Sequence, residues 1–180
     1  FFDTLFASIQ KTKMPYRLFI IDDKSPDERV YPYLKKLAEQ DNRITLLQNG
    51  VNSGYVKTVN RALKMTTNHV ALLNTDIELP PMWLERLMAP IVLIDRVASS
   101  TPFTNSGAIC SFPEIGKDNL IDPRLSCEKI DSYFEHVVPS YAQLPTGVGF
   151  CMGMSRKAIS IVGVLDADTF GKGYGEENDW

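Results

Sequence analysis

The chain has 180 residues, of which 44% are hydrophobic and 23% charged, with a formal net charge of −3 and an isoelectric point of about 5.4. These values are typical of a globular domain with its own core, and the weakly acidic balance argues against a nucleic-acid-binding surface. Apolar runs such as residues 89–94 are far too short to span a bilayer.

Helix and strand signals alternate along the first part of the chain. Apolar residues at helical spacing predict a helix over residues 1–11, and an apolar run that ends in acids predicts a buried strand over 16–22. Residues 25–28 have the order of a capping box and predict a helix start there, with an interruption at Pro32. The next elements are predicted as a strand over 43–48, a turn over 49–54, a helix over 55–65 and a strand over 69–74.

The second part of the chain is less regular. A helix is predicted over residues 80–94, beginning at its prolines, and a fourth strand over 96–103. Residues 104–143 are rich in Pro, Asn and Asp and predict a long excursion with one helix near 127–137, before a strand and a short helix over 147–163. Strands and helices that alternate at this spacing predict parallel strands with crossover helices, and hence one three-layer α/β domain over residues 1–180.

Acidic residues follow two of the predicted strands. Asp22 and Asp23 end the first strand, and Asp76 follows the third. Because open parallel sheets bind ligands outside the carboxyl ends of their strands, we expect these acids to converge on one crevice. Asp22 or Asp23 can accept hydrogen bonds from a base N–H or a ribose hydroxyl; the alternative is a turn acid or a paired surface acid.

A divalent-cation site is predicted after the third strand. Asn74 and Asp76 lie two residues apart, so both side chains can point the same way. Their oxygens suit Mg²⁺ or Mn²⁺, which would share its coordination shell with a diphosphate. The alternative is that Asp76 caps the helix that begins at the prolines.

The turn before the third helix offers a second ligand-binding feature. Asn52 and Gly54 precede a helix whose N-terminus can face a phosphate group. Lys57 and Arg61 are four residues apart and therefore share one face of that helix. A solvated face is the alternative interpretation of these two cations.

Cysteine and histidine usage argues against a zinc site. Cys110, Cys127 and Cys151 are an odd number without a C-x-x-C pair, and only two histidines are present. Reduced, buried thiols in a cytosolic protein are therefore expected. His69 and His136 are interpreted as structural.

The last eleven residues, "FGKGYGEENDW", carry three glycines and three carboxylates. One interpretation is a solvated acidic tail. The other is a third acid cluster of an active site, held at a strand-to-loop junction where neighbouring glycines allow close approach of a substrate.

Five segments in this order resemble a family 2 glycosyltransferase with the GT-A fold, of the type found in bacterial surface-polysaccharide synthesis. They are "FIIDDKSPD", "NGVNSGYVKTVNRAL", "LLNTDIELPPMWLERL", "TGVGFCMGMSRKAI" and "FGKGYGEENDW". The resemblance implies a three-layer α/β/α fold with a mainly parallel sheet that lacks the family's first strand. It also implies an inverting enzyme that moves a sugar from a nucleotide-diphosphate sugar to a hydroxyl of a glycan or lipid-linked acceptor.

The resemblance also implies a role for individual residues. Asp22 matches the acid that contacts the nucleotide base. Asp76 matches the last acid of the DxD motif, which binds Mg²⁺ or Mn²⁺ on the donor diphosphate, and Asn74 stands where the first acid is usual. Glu177 matches the catalytic base of the ED-type motif, with Glu176 as its neighbour and Asp179 as a further candidate.

The resemblance also bears on the extent of the domain and its location, and two other functions remain possible for the chain. The resemblance begins at the family's first helix and ends after the ED-type motif, which predicts a domain truncated at both ends. It implies a cytoplasmic protein, and attachment to the cytoplasmic face of a membrane would depend on other segments. The alternatives are a non-catalytic sugar-nucleotide-binding relative, which keeps Asp22 and Asp76, and a phosphoacceptor receiver domain, in which paired acids follow the first strand and a phosphorylated Asp follows the third.

Overall fold

The computed structural model describes residues 2–180, which form two compact units. The first unit contains residues 2–14 and 68–161, and the second contains residues 15–67 and 162–180. In chain order the elements are α1 (Phe2–Gln10), β1 (Leu18–Asp22), α2 (Val30–Gln40), β2 (Ile44–Gln48), α3 (Tyr55–Met65), β3 (Val70–Leu73), α4 (Trp83–Leu93), β4 (Ser99–Ser100), α5 (Cys127–Ser132), β5 (Cys151–Met154), α6 (Arg156–Val162), α7 (Ala167–Phe170) and α8 (Glu176–Asp179).

Most of the expected elements are present, although three are shorter than predicted: α4 begins at Trp83, β4 spans only Ser99–Ser100, and α5 ends at Ser132. Helix α3 matches its predicted bounds residue for residue. The predicted start of α2 at residues 25–28 is wrong, because the Ser25 hydroxyl donates to Asp22 instead of capping a helix. Helix α2 begins at Val30, so Pro32 lies in its first turn, where a missing N–H breaks no intrahelical bond.

The second unit is built on two parallel strands. In the register of β1 and β2, Leu18 is opposite Ile44 and Asp22 is opposite Gln48. Both strands therefore end at the same edge, which confirms the parallel arrangement predicted for this part of the chain. The unit's buried apolar side chains come from α2, from α3 and from the C-terminal stretch; they are Leu34, Val56, Leu63 and Leu165.

The first unit contains a three-stranded sheet in the order β3-β5-β4. Strand β5 runs antiparallel to both neighbours, so the sheets of this chain combine parallel and antiparallel pairing. The direction of β5 depends on the path of the long connection that precedes it. Local hydrophobic periodicity does not predict that path, so the antiparallel pairing was not expected. Gly153 lets α4 approach β5 closely, because a Cβ there would lie 3.1 Å from Ile91 Cδ1 and 3.3 Å from Leu87 Cγ.

Helices α1 and α4 supply much of the first unit's core. The Trp83 indole N–H donates to the Thr12 hydroxyl at 2.8 Å, and Leu5, Phe6 and Ile9 are buried on α1. The expectation of buried thiols holds for Cys110 and Cys151, whereas Cys127 is half-buried; all three are free thiols. Burial raises the pKa of the Cys151 thiol to about 12, so it stays protonated and behaves as a small apolar side chain.

Among residues 2–180, no helix combines the length and the apolar character needed to cross a membrane.

Candidate active site

A cavity of about 480 Å³ opens at the carboxyl ends of β1 and β2 in the second unit. Its wall is formed by Asp22, by the loop that follows it, by the first turn of α2 and by Gln48. The volume lies within the range of pockets that bind small molecules. The position agrees with the prediction that ligands bind where parallel strands end.

Asp22 is held in one orientation at this cavity. The residue is only 4% exposed, and its carboxylate accepts hydrogen bonds from the Ser25 backbone N–H at 3.0 Å and the Gln48 side-chain amide at 2.8 Å. Lys24 has a φ of 58°, a left-handed turn that brings Ser25 back toward Asp22. Burial alone would raise the pKa of Asp22, but the hydrogen bonds from Ser25 and Gln48 outweigh it and lower the pKa below its ordinary value of 3.8. The carboxylate is therefore ionised near neutral pH and available only as a hydrogen-bond acceptor.

Asp23 has different partners and connects two loops. Its carboxylate accepts from the Asn49 side chain at 2.7 Å and from the backbone N–H groups of Ser53 and Gly54, both at 2.8 Å. The Asn52 side-chain amide donates to the Asp23 carbonyl oxygen at 3.1 Å. Burial alone would raise the pKa of Asp23, but the hydrogen bonds from Asn49, Ser53 and Gly54 outweigh it and lower the pKa. Asp23 thus organises residues 49–54, and its contact with a nucleotide stays a prediction.

The N-terminus of α3 is occupied by the chain itself. The Gly54 N–H is used by Asp23, and the Tyr55 N–H donates to the Lys172 carbonyl oxygen at 3.1 Å. Gly54 has a φ of 83°, and a Cβ there would lie 3.0 Å from Lys172 Cα, so both conformation and space favour glycine. The N–H groups of Gly54 and Tyr55 are thus already used within the chain, and phosphate binding at this helix end stays a prediction.

Arg61 is also engaged within the second unit. Its guanidinium donates to the Asn49 side-chain oxygen at 2.6 Å and to the Gln48 carbonyl oxygen at 3.1 Å. These bonds tie α3 to the end of β2, next to the cavity. Ligand binding by Arg61 stays a prediction, while its support of the loop is directly visible.

The C-terminal acids lie on a short helix, and the predicted strand-to-loop junction is wrong. Gly173, Tyr174 and Gly175 all have positive φ, and this turn leads directly into α8. Glu176 is only 5% exposed, and its Oε2 atom has no hydrogen-bond partner among residues 2–180. Glu177 follows it on the same turn and is half-buried. A buried carboxylate oxygen that accepts no hydrogen bond within the protein could accept one from a ligand that reaches it.

Tyr55, at the start of α3, faces the turn that leads into α8, since a Cβ on Gly173 would lie 3.7 Å from Tyr55 Cβ and 3.9 Å from the carboxylate oxygens of Glu176. The residue as a whole is 39% exposed, but desolvation of its hydroxyl and, to a lesser degree, the negative charges of Glu176 and Glu177 raise the pKa of Tyr55 to about 12. The phenol therefore remains a hydrogen-bond donor at any ordinary pH.

Asn74 and Asp76 lie in the first unit, at the end of β3. The Asn74 N–H continues the ladder by donating to the Phe150 carbonyl oxygen at 2.8 Å, whereas Asp76 is exposed on the turn that follows. The alternative that Asp76 caps the next helix is wrong, since α4 begins at Trp83 and receives no side-chain cap. Convergence of Asp76 with the acids of the second unit stays a prediction.

The residues after β3 can bind a divalent cation only if a substrate diphosphate supplies further ligands to it. Among residues 2–180, no group of three or more His, Cys, Asp or Glu side chains could hold a metal ion. One exposed carboxylate and one amide are nevertheless sufficient for Mg²⁺ or Mn²⁺ when a substrate diphosphate completes the shell. The donor set therefore fits a cation carried by a diphosphate and does not fit a resident protein-bound metal.

Two residues near these sites were not predicted from the sequence. Gln48 lines the cavity and is bonded to Asp22. Asn60 is buried on α3 between Val56 and Leu63. A polar amide within an apolar helical stripe is a usable signal, because such a group must find a buried partner.

Comparison with known proteins places the chain in one family. The sequence profile of glycosyl transferase family 2 matches residues 2–163, which leaves the receiver-domain alternative without support. No curated protein sequence matches the chain.

Two solved structures show the same fold. One is a mannosyltransferase, PcManGT from Pyrobaculum calidifontis in complex with GDP-Man and Mn²⁺, with a TM-score of 0.63 and 15% identity over 99% of this chain and 46% of that chain. The other is GalNAc-T7 with UDP, GalNAc and Mn²⁺, with a TM-score of 0.69 and 14% identity over 97% of this chain and 36% of that chain. The chain thus spans less than half the length of either protein. It belongs to glycosyl transferase family 2 and has the mixed α/β architecture of the GT-A fold.

Proposed function

We propose that this chain is the donor-binding and catalytic part of an enzyme that moves a sugar from a nucleotide-diphosphate sugar to a hydroxyl acceptor. The observation that carries the proposal is the cavity at the ends of β1 and β2, which contains an ionised and fixed Asp22 in a chain of this family. The resemblance to surface-polysaccharide enzymes favours a glycan or lipid-linked acceptor and a cytoplasmic reaction.

Donor recognition is assigned to the cavity of the second unit. Asp22 accepts a hydrogen bond from an N–H of the nucleobase or from a ribose hydroxyl, since its carboxylate has only acceptor capacity. Gln48 keeps that carboxylate in place through the 2.8 Å bond and adds an amide to the same wall. A volume of about 480 Å³ is large enough for a nucleoside.

The transfer step is assigned to Glu177. Its carboxylate removes the proton of the acceptor hydroxyl while that oxygen bonds to the anomeric carbon of the donor sugar. The bond from the anomeric carbon to the diphosphate oxygen breaks, and the nucleoside diphosphate leaves with its electron pair. One in-line displacement of this kind inverts the anomeric configuration. The buried Glu176 next to it has one carboxylate oxygen that receives no hydrogen bond from residues 2–180.

Asp76, with Asn74, is proposed to hold Mg²⁺ or Mn²⁺ on the donor. When bound, such a cation offsets the negative charge that develops on the departing diphosphate. The neighbouring mannosyltransferase and GalNAc-T7 structures both contain Mn²⁺, which supports a divalent cation for this chain.

A transfer assay with the full-length protein tests this function. Candidate nucleotide sugars are supplied with Mn²⁺ or Mg²⁺ and hydroxyl acceptors, and the anomeric configuration of the product is read by NMR. Inverted product is expected. Wild-type protein that binds a nucleotide sugar but transfers nothing would instead identify the non-catalytic relative, and retained configuration would contradict the single displacement.

Substitution of the acids tests the assignment of the base. Glu177→Gln is expected to lower kcat by about a thousandfold or more while nucleotide affinity is retained, since only proton removal is lost. Asp168→Asn, at an exposed acid of α7, is the neutral control. Undiminished transfer in Glu177→Gln would overturn the assignment, and loss of transfer in Asp179→Asn alone would move the role to Asp179.

A further inference from the structure

The two acids of α8 belong to a stretch that closes on itself, residues 163–180, called here the acid segment. Its two ends are joined, because the Trp180 indole N–H donates to the Gly163 carbonyl oxygen at 2.9 Å. Inside it, the Asp166 carboxylate caps α7 by accepting from the Asp168 and Thr169 backbone N–H groups, both at 3.0 Å. The acid segment therefore has a defined internal shape, and its placement depends on what holds it to the rest of the second unit.

Helix α3 holds the acid segment at two points. The first is the Tyr55 N–H, which donates to the Lys172 carbonyl oxygen at 3.1 Å, beside the close contact between Gly54 and Lys172. The second is Asn60, which is bonded to the backbone of Leu165. The two points lie on the same helix and grip the acid segment at positions seven residues apart, so together they fix both its location and its direction.

The Asn60 contact is a two-sided clamp. Its side-chain N–H₂ donates to the Leu165 carbonyl oxygen at 2.7 Å, and its side-chain oxygen accepts from the Leu165 N–H at 2.9 Å. Both residues are buried, Asn60 at 7% and Leu165 at 4% exposure. An aspartate at this position would lack the donor, and a leucine would lack both groups. A buried amide on an apolar helix face is disfavoured unless fully bonded, and here one backbone residue satisfies it on both sides.

We propose that Asn60 is a positioning residue for the transfer reaction, and that its clamp on Leu165 sets where Glu176 and Glu177 stand. This inference rests on the proposed function. A Cβ on Gly173 would lie 3.7 Å from Tyr55 Cβ and 3.9 Å from both carboxylate oxygens of Glu176. The turn that carries the acids therefore approaches α3 at Tyr55, about one and a half turns before Asn60. A catalytic acid displaced by about 1 Å can lose as much as a hundredfold in rate, so a clamp remote from the chemistry affects the rate directly.

Steady-state kinetics of Asn60→Ala separate positioning from plain stability. In the full-length protein, kcat is expected to fall at least about tenfold, while KM for the nucleotide sugar and Kd for the nucleoside diphosphate change by less than about threefold. Leu34→Val is the matched control, because it also removes buried contacts from the second unit but lies on α2 and not on the helix that carries the clamp. Equal kcat values for the two variants, each per nucleotide-binding site, would overturn the proposal.

Hydrogen exchange provides a readout that does not depend on turnover. In Asn60→Ala the amides of the acid segment are expected to exchange faster than in wild type, whereas Leu34→Val leaves them close to wild type relative to the rest of the unit. Unchanged protection of the acid segment in Asn60→Ala would overturn the inference. If wild-type protein transfers no sugar, the proposed function fails, and the exchange result still decides whether the clamp places the acids.

Trp180→Phe keeps the test decisive if Asn60→Ala does not fold. Phenylalanine retains an aromatic ring but lacks the N–H that bonds to Gly163. The same split is expected, with kcat lowered by about threefold or more and nucleotide affinity retained. Wild-type kcat and wild-type exchange of the acid segment in this variant would contradict the proposal.

Discussion

The acids that follow β1 and the acid that follows β3 occupy similar places in the sequence but have opposite surroundings. Asp22 and Asp23 accept hydrogen bonds from side chains and backbone N–H groups of the second unit, and both have a lowered pKa. Asp76, in the first unit, is exposed, and its side chain has no hydrogen bond among residues 2–180. A bonded acid has part of its acceptor capacity already used by the fold, whereas an exposed acid without internal bonds has all of it available to a ligand.

This contrast predicts two different effects of substitution, a loss of folding stability for the bonded acids and a loss of ligand affinity for the exposed acid. Removal of a bonded carboxylate leaves donors without partners and weakens the fold. Removal of an exposed carboxylate has little effect on the fold and shows only when its ligand is present.

Among these substitutions of bonded and exposed groups, the largest loss of nucleotide affinity is expected from Asp76→Ala. Nucleoside diphosphate affinity in the presence of Mn²⁺ should fall by about a hundredfold, because the only protein carboxylate proposed for the cation is lost. The free energy of unfolding should change by no more than about 0.5 kcal/mol. Titration calorimetry with and without Mn²⁺ checks the first value. Glu78→Gln, two residues along, is the control, and an equal loss in both variants would contradict a specific role for Asp76.

Asp23→Ala should produce the reverse pattern. It is expected to lower the free energy of unfolding by about 2–3 kcal/mol, since Asn49, Ser53 and Gly54 all lose a charged acceptor. Urea denaturation provides the measurement. Asp27→Ala removes an exposed, solvent-screened ion pair with Arg29 and should have a much smaller effect on stability. Similar losses in the two variants would remove the distinction between bonded and exposed acids.

The bonded acids also predict how stability depends on pH. The folded pKa values of Asp22 and Asp23 lie below the ordinary value of 3.8. Their stabilising contribution is therefore fully present above that value and is lost as the pH falls through the lower, folded pKa values. Urea denaturation from pH about 6 to about 3 should show this loss, and Asp23→Asn should show a smaller one. Identical pH profiles would contradict the role of Asp23.

The smallest effect is expected from Gln48→Ala. Loss of one neutral hydrogen bond to Asp22 should weaken nucleotide binding by about fivefold, the equivalent of about 1 kcal/mol. Calorimetric titration with the preferred nucleoside diphosphate checks this value. A loss as large as that for Asp76→Ala would show that Gln48 contacts the ligand as its main partner, and no loss would separate Gln48 from the site.

Sequence patterns predicted the local features of this chain better than its long-range contacts. Helix α3 was predicted in full because its apolar spacing and preceding turn cluster are local signals. The start of α2 was wrong because Ser25 has two available uses, and its proximity to Asp22 selects the second. The antiparallel direction of β5 depends on a long excursion with weak periodicity, which no local signal specifies.

The same limit applies to the candidate site. Asp22 was placed correctly at a strand end, since that position follows from the apolar run before it. The contacts of Asp23 with residues 49–54 and of Asn60 with Leu165 join positions about 30 and 105 residues apart. Such contacts arise only when the chain is folded. The buried amide at position 60 was the one trace of them in the sequence.

A nucleotide site at the ends of β1 and β2 is tested most directly by titration with UDP, GDP and dTDP in the presence of Mn²⁺. The full-length wild-type protein is compared with Asp22→Asn. One of these nucleotides is expected to bind the wild-type protein and raise its melting temperature, since a ligand specific to the folded state stabilises it. Asp22→Asn should remain folded and lose most of that affinity. Absence of binding by all three nucleotides, or equal affinity in the two proteins, would contradict a nucleotide site at the ends of β1 and β2.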